Sequence, residues 1–236
     1  MASSFFDRAR AAEYDQRFAK LAPLRDALHL LTAAALARLP GNARVLSVGA
    51  GTGAEILALA PRFPGWRFVA VDPSGPMLEI ARERAEERGI STRCEFHVGT
   101  LDSLPDTELF DGATSILVSQ FVLDPEARIG FFREIAGRLR PGGQLVSADL
   151  AADLAVEEGQ EQLSFWLGLL RTEQGISAEQ AENMRTAYAE NVAVLPVHRV
   201  EGLLVAGGFE NPVRILQTGM IHAWTAYRKG DDPSIS

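Results

Sequence analysis

Residues 45–53 read Val45-Leu46-Ser47-Val48-Gly49-Ala50-Gly51-Thr52-Gly53, a short apolar run that breaks into three glycines at alternate positions. Such a run suits a strand buried on both faces. The glycines permit a tight turn and a close backbone approach to a ligand. A helical pattern opening near Ala54 adds a helix N-terminus, which favours a negative group, at the same point. The loop alone does not name its ligand, because Gly49, Gly51 and Ala54 also satisfy the spacing of dinucleotide-binding loops.

Working outward, further buried-strand segments occur at Arg67–Asp72, Arg93–Val98, Asp111–Val118 and Gly143–Asp149, counting the first as Arg44–Gly49. Helical patterns lie between them. After Ser74, Met77, Leu78, Ala81 and Ala85 form one apolar face, with Glu79, Arg82, Glu83, Glu86 and Glu87 on the solvated side. Asp124 is a cap with Pro125 behind it, and Pro141-Gly142-Gly143 is expected to stop the helix that follows. Two terminal pieces, Val213–Gln217 and Met220–Tyr227, stand too close for a helical crossover and should pair antiparallel. The fold class expected is α/β: a doubly wound, mostly parallel seven-stranded sheet with an antiparallel last strand. Residues 1–236 form a single domain in this reading, with an N-terminal helical arm at 1–39, a helical lid insertion at 150–195 and a flexible tail at 229–236.

The chain has 236 residues, 47% of them hydrophobic, which supports a sizeable core. A formal net charge of −8 argues against gripping a phosphate backbone. Cys94 is the only cysteine, which excludes an intrachain disulfide and a zinc site of several thiolates. The first residues carry charges where a signal peptide needs an apolar core, so a soluble, cytoplasmic protein without a membrane span is expected.

Asp72 closes the second strand twenty-one residues after Gly51, where a carboxylate reaches ribose hydroxyls. It is followed by Pro73-Ser74-Gly75-Pro76-Met77-Leu78-Glu79-Ile80-Ala81. At this point the chain resembles the class I S-adenosylmethionine-dependent methyltransferases, whose pattern here is an acid, a few small or polar residues, then Met-Leu and an alanine. The resemblance extends through Gly99–Pro105, Phe110-Asp111 with Ile116–Phe121, Leu139–Gly143 and Gly207–Phe209.

That resemblance implies S-adenosylmethionine as cofactor, S-adenosylhomocysteine as product, and a set of contacts. Gly49, Ala50 and Gly51 would back the amino-acid end of the cofactor, and Asp72 would hold the ribose. Pro73 and Met77 would flank the adenine, Thr100 and Leu101 would meet its edge, and Ile116 would offer backbone near the sulfonium. Two positions depart from the family pattern: Ser47 stands where an acid commonly precedes the glycine loop, and Thr100 where an aspartate commonly receives the adenine amino group.

Methyl transfer from a sulfonium mainly requires a nucleophile held in line and water excluded, so a catalytic base is optional. Tyr14, Gln120, Phe121, Trp166 and Tyr188 are the expected acceptor contacts, with His29, Phe165 and Met184 beside them and His222 as the catalytic candidate. An aromatic lid with few charges suits a small, partly apolar molecule. The same residues at helical spacing also fit ordinary core packing, and a histidine in a strand is commonly structural. Asp149, Asp153, Glu157 and Glu158 read as the polar start of a helix, and no metal is expected. Val118–Pro125 also resembles the enzymes that make a carboxylated form of the cofactor for tRNA wobble-uridine modification. Two further readings compete with methyl transfer: a noncatalytic cofactor-binding module and a nicotinamide dehydrogenase. A homodimer could form through the arm or the insertion.

Overall fold

The computed structural model describes residues 20–106 and 108–230. Among the described residues fourteen α-helices and strands follow one another as α1 (Ala22–Leu36), β1 (Arg44–Val48), α2 (Ala54–Leu59), β2 (Arg67–Asp72), α3 (Gly75–Glu87), β3 (Cys94–Val98), β4 (Phe110–Ile116), α4 (Pro125–Arg138), β5 (Leu139–Leu150), α5 (Glu157–Gln174), α6 (Ala178–Glu190), α7 (Val197–Ala206), β6 (Phe209–Thr218) and β7 (Ile221–Arg228). The strands form one sheet in the order β3-β2-β1-β4-β5-β7-β6. All pairings from β3 to β5 are parallel, and β7 runs antiparallel to both of its neighbours. The sequence expectation of a parallel sheet closed by an antiparallel hairpin is met.

The element starts obey local chemistry. Ser74 caps α3 by accepting from Met77 N–H at 3.4 Å, and Asp124 caps α4 by accepting from Ala127 N–H at 2.8 Å, each with proline in the first turn. Ser177 and Gln180 form a reciprocal capping box at the start of α6. The fifth strand departs from expectation: it starts at Leu139, four residues early. Phe110 pairs with Leu139 and Gly112 with Gln144, so Pro141-Gly142-Gly143 is bulged out within the strand instead of preceding it. Proline has no N–H for the ladder, and Gly142 takes φ +73°, which allows the bulge.

Apolar clusters cover both faces of the sheet. Phe132, Ile135, Leu204, Phe209 and Trp224 pack α4 and α7 on one face, while Leu36, Trp66, Phe68 and Leu78 pack α1 to α3 on the other. A third cluster joins the insertion to the arm: Leu163, Trp166, Leu167 and Leu170 of α5 pack with Leu21 and Leu28 and with Met220 and Ile221. The insertion thus sits beyond the carboxyl ends of the strands. The arm is described from residue 20 onward, where α1 is its helix; the tail lies outside the described residues from 231. The chain winds outward in opposite directions from β1 and β4, so their carboxyl ends form the switch-point crevice in which such sheets bind ligands.

Candidate cofactor and acceptor site

The crevice is built first by the glycine loop. Gly49, Gly51 and Gly53 take φ +70°, +53° and +78°, a region that costs other residues strain. Gly49 N–H and Ala50 N–H both donate to Val71 O, at 2.8 and 3.1 Å, which ties the loop to β2. A Cβ on Gly49 would lie 2.4 Å from a methyl of Val118, so the loop and the segment after β4 meet at a point with no room for a side chain. A Cβ on Gly51 would stand 3.6 Å from Met77 Sδ, which puts this sequence-expected pair on one wall.

Asp72 lies at the centre of that wall. Its Oδ2 accepts from Gly51 N–H at 2.9 Å and its Oδ1 from Ser74 N–H at 2.8 Å. Burial pushes the carboxyl above its ordinary value, and the two N–H donors pull it back. A carboxylate has about four lone-pair sites, so two bonds leave capacity for two more donors, the number a ribose diol presents. Pro73 and Thr100 are exposed beside it, Leu101 is buried, and Ile116 is half-buried at the end of β4. Gly51 therefore meets Asp72 directly and lies against Met77, while Ile116 lines a cavity whose lining does not include Thr100. A groove floored by glycines, with an acid clamped at its edge, fits S-adenosylmethionine; Gly49–Gly51, Asp72 and Met77 would hold it.

At both positions that depart from the family pattern the hydroxyl donates to a nearby carboxylate. Thr100 hydroxyl donates to the Asp102 carboxylate, two residues later and exposed. Ser47 hydroxyl donates to Glu55 Oε1, so an acid also stands behind the glycine loop, supplied by the first turn of α2. Sequence reading missed Glu55. Its signal was a serine at the acid's position with a glutamate eight residues on, at the helix start. Glu55 is 6% exposed, and burial raises its carboxyl to about 7, with the Asp72 charge acting in the same direction.

Glu55 also lines a cavity of about 650 Å³ between α1, α2 and the end of β4. Its apolar wall includes Leu21, Leu24, Leu28, Leu117 and Ile221, and its polar wall includes Arg25, His29 and Thr52. Burial and the charge of Arg25 lower His29 to about 4, so its ring is neutral at physiological pH. Leu117 closes the far side with φ +59°, held by its N–H to Ala148 O at 2.7 Å.

The other expected acceptor residues are spread more widely. Tyr14 lies outside the described residues. Gln120 is buried and its Oε1 accepts from Leu150 N–H at 2.7 Å, while Phe121 is 61% exposed. Trp166 is buried and its Nε1–H donates to Tyr188 Oη at 3.1 Å, joining α5 to α6. His222 lines a separate cavity of about 320 Å³ with His198 and Arg214; its Nδ1 is 3.1 Å from Met220 O, and burial lowers its pKa. It shares no cavity lining with Ile116 or Glu55. Asp149 is fully buried in a network, bonded by Ser119 Oγ and Gln120 N–H at 2.9 Å and paired with Arg128 at 3.3 Å. Among the described residues no group of three or more His, Cys, Asp or Glu is placed to hold a metal ion, and no helix is long and apolar enough to cross a membrane.

Comparison with known proteins agrees with this fold. Residues 45–143 match the family described as "Methyltransferase domain". The chain is 30% identical over 172 residues to the biotin biosynthesis bifunctional protein BioHC of Teredinibacter turnerae, covering 68% of this chain and 30% of that protein. It is 38% identical over 108 residues to the erythromycin 3''-O-methyltransferase of Saccharopolyspora erythraea, covering 45% and 34% of the two chains. The alignments thus span only about a third of these relatives' own length. The solved structure of human N-acetylserotonin methyltransferase in complex with SAM shares the fold, with a TM-score of 0.66 at 16% identity over 95% of this chain and 57% of that one. With the motif order, the sheet topology and the matched domain in agreement, residues 45–143 carry a methyltransferase domain and the chain has the fold of the class I S-adenosylmethionine-dependent methyltransferases.

Proposed function

We propose that the protein transfers a methyl group from S-adenosylmethionine to a small, partly apolar acceptor, most simply at a hydroxyl oxygen. The observation that carries this reading is the crevice at the β1/β4 switch point, where Asp72 is clamped by Gly51 and Ser74 with acceptor capacity left over. When bound, the cofactor supplies a methyl already activated on a sulfonium. The chain's own residues supply placement: Gly49–Gly51 back the amino-acid end, Asp72 holds the ribose, Pro73 and Met77 flank the adenine, and Thr100 and Leu101 meet its edge. Ile116 offers its backbone beside the reacting centre.

The adjoining cavity of about 650 Å³ supports a small acceptor, since pockets of this size and lining bury molecules of drug-like dimensions. Neutral His29 offers the acceptor a hydrogen-bond partner there, and its lowered pKa makes it a weak base. Trp166 and Tyr188 act from the lid by keeping α5 and α6 together over the site. Relatives named O-methyltransferases add support for an oxygen acceptor. The methyltransferase domain match and the relatives named methyltransferases do not favour the carboxylated-cofactor reading of Val118–Pro125.

The test is a titration calorimetry measurement with S-adenosylhomocysteine, followed by transfer of a labelled methyl to a panel of small phenols and alcohols. Binding lost in Asp72→Ala together with transfer to a hydroxyl supports the reading. Absence of binding to folded wild-type protein refutes it.

A further inference from the structure

The cavity of about 320 Å³ stands apart from the cofactor crevice. Ile221 lines the larger cavity and His222 this one, and successive residues of a strand face opposite sides, so the sheet divides the two. Three features converge on it. His222 is 1% exposed; its Nδ1 is taken by Met220 O at 3.1 Å, and its Nε2 has no partner among the described residues. A carbonyl only accepts, so Nδ1 carries the proton and the neutral ring presents Nε2 to the cavity as an acceptor. Helix α7 begins at the same cavity with Val197 and His198, and its N-cap, Pro196, supplies no side-chain bond. Arg199 and Val200 N–H donate to Pro196 O, whereas the N–H groups of Val197 and His198 have no partner among the described residues. The exposed Arg214 of β6 lines the cavity with its guanidinium in no ion pair or hydrogen bond among the described residues.

The charged groups around the His222 ring come from four elements. Burial lowers its pKa, Arg214 acts in the same direction, and Glu201 of α7, bonded to Trp224 Nε1–H at 3.0 Å, opposes them. Asp149, opposite His222 in the ladder, is committed to Arg128. His198, Asp153 and Glu158 complete the titratable lining, with Asp153 Oδ1 accepting from Ala155 N–H at 3.1 Å. We propose that this cavity is a second ligand site, which binds inorganic phosphate in its singly protonated form. The oxygens accept from Arg214 and from the first N–H groups of α7, whose dipole adds to the attraction. The remaining O–H donates to His222 Nε2. An oxyanion without a proton meets a lone pair at that point, so the neutral ring selects one that brings its own. Asp153 and Glu158 on the same lining set like charge against a larger polyanion.

The experiment follows the amide signals of isotope-labelled protein by nuclear magnetic resonance during titration with inorganic phosphate at pH 8, at an ionic strength held constant with sodium chloride. Saturable shifts of the Val197 and His198 N–H signals are expected. Sulfate has the same shape and charge but no proton, so at pH 8 it should bind wild type at least about tenfold more weakly. Its affinity should rise by up to about tenfold for each unit that the pH is lowered toward the titration of His222, because the ring must then supply the proton. Arg214→Gln, at an exposed position, should weaken phosphate binding about 10- to 100-fold, the range for a charge-assisted hydrogen bond. His222→Gln, whose amide both donates and accepts, should bind the two anions within about threefold of each other. A melting curve establishes that this variant is folded; where it is not, the comparison of the two anions on wild type decides. Shifts that do not saturate, equal binding of phosphate and sulfate by wild type at pH 8, or unchanged affinity in Arg214→Gln overturns the assignment. Each of these outcomes leaves the cofactor reading intact, because the titration uses no cofactor.

Discussion

Asp72→Asn is the sharpest probe of the crevice, because it removes charge and one acceptor while keeping the shape of the side chain. Asp72 accepts from two backbone N–H groups, Gly51 at 2.9 Å and Ser74 at 2.8 Å, in a site 9% exposed. Asparagine has one acceptor oxygen, so its amide nitrogen must face the second N–H, donor against donor. A hydrogen bond to a charged acceptor is worth about 1.5–3 kcal/mol, and a buried donor left without a partner costs about 1–3 kcal/mol. Against this, the neutral side chain is cheaper to bury, as the raised carboxyl pKa indicates. The net expectation is a loss of about 2 kcal/mol in stability, from one orphaned donor less the relief of charge burial. Urea unfolding should show this as a lower midpoint with an unchanged slope. In calorimetry, S-adenosylhomocysteine should bind roughly 10- to 100-fold more weakly, because the ribose loses a charged acceptor and the loop its clamp. A variant within about 0.5 kcal/mol of wild type, the usual spread of surface substitutions, and with unaltered affinity would refute both the clamp and the ribose role.

Other expectations follow from the same geometry. Gly49→Ala combines a strained φ of +70° with overlap against Val118 and should cost about 3 kcal/mol or more in thermal unfolding. Adding Val118→Ala should return the overlap part but not the backbone part; full recovery would show that φ is unimportant. Glu55 predicts a pH trend: between about 4.5 and 7 the folded protein keeps a proton that the unfolded chain releases, so Glu55 lowers stability as pH rises through that window. By linkage the wild type should lose about 3 kcal/mol relative to Glu55→Gln across it and nothing further above it; parallel profiles would remove the idea. Arg128→Met strands the buried Asp149 carboxylate and should cost about 3–5 kcal/mol, with the double change Arg128→Met/Asp149→Leu costing less than the sum of its singles. Additive costs would mean that the pair does not act as a unit. Trp166→Phe removes the bond to Tyr188 and should lower stability by about 1 kcal/mol or more in urea unfolding; no change would mean that the two helices are joined by apolar packing alone.

Much of the site was legible because it depends on backbone geometry that few residues tolerate. The glycines at 49, 51 and 53 all take positive φ, and Asp72 ends its strand where a donor-rich turn begins. Such positions leave a mark in a single chain. Residues that act by packing left none: Trp166 and Tyr188 would look the same as acceptor contacts or as the joint between two helices. Gln120 was legible as a polar residue after β4, but its use as a clip on Leu150 N–H depends on a strand thirty residues away. The early start of β5 was misread because Pro-Gly-Gly normally ends elements, whereas here pairing of Phe110 with Leu139 resumes the ladder across a bulge.

Alternation of apolar runs with helical periods, glycine spacing and one acid at a strand end were enough to determine the sheet and its switch point, since each is a local demand on backbone or burial. Tertiary structure alone decided which carboxylates the Ser47 and Thr100 hydroxyls meet. Ser47 and Thr100 look like lost acids in the chain, yet folding brings Glu55 and Asp102 to their hydroxyls. It also decided that His222 and Ile116 line different cavities and that Asp149 is committed to Arg128. The physical reason is that a side chain's charge and partner are set by what surrounds it in space, and that surrounding is assembled from elements far apart in the chain.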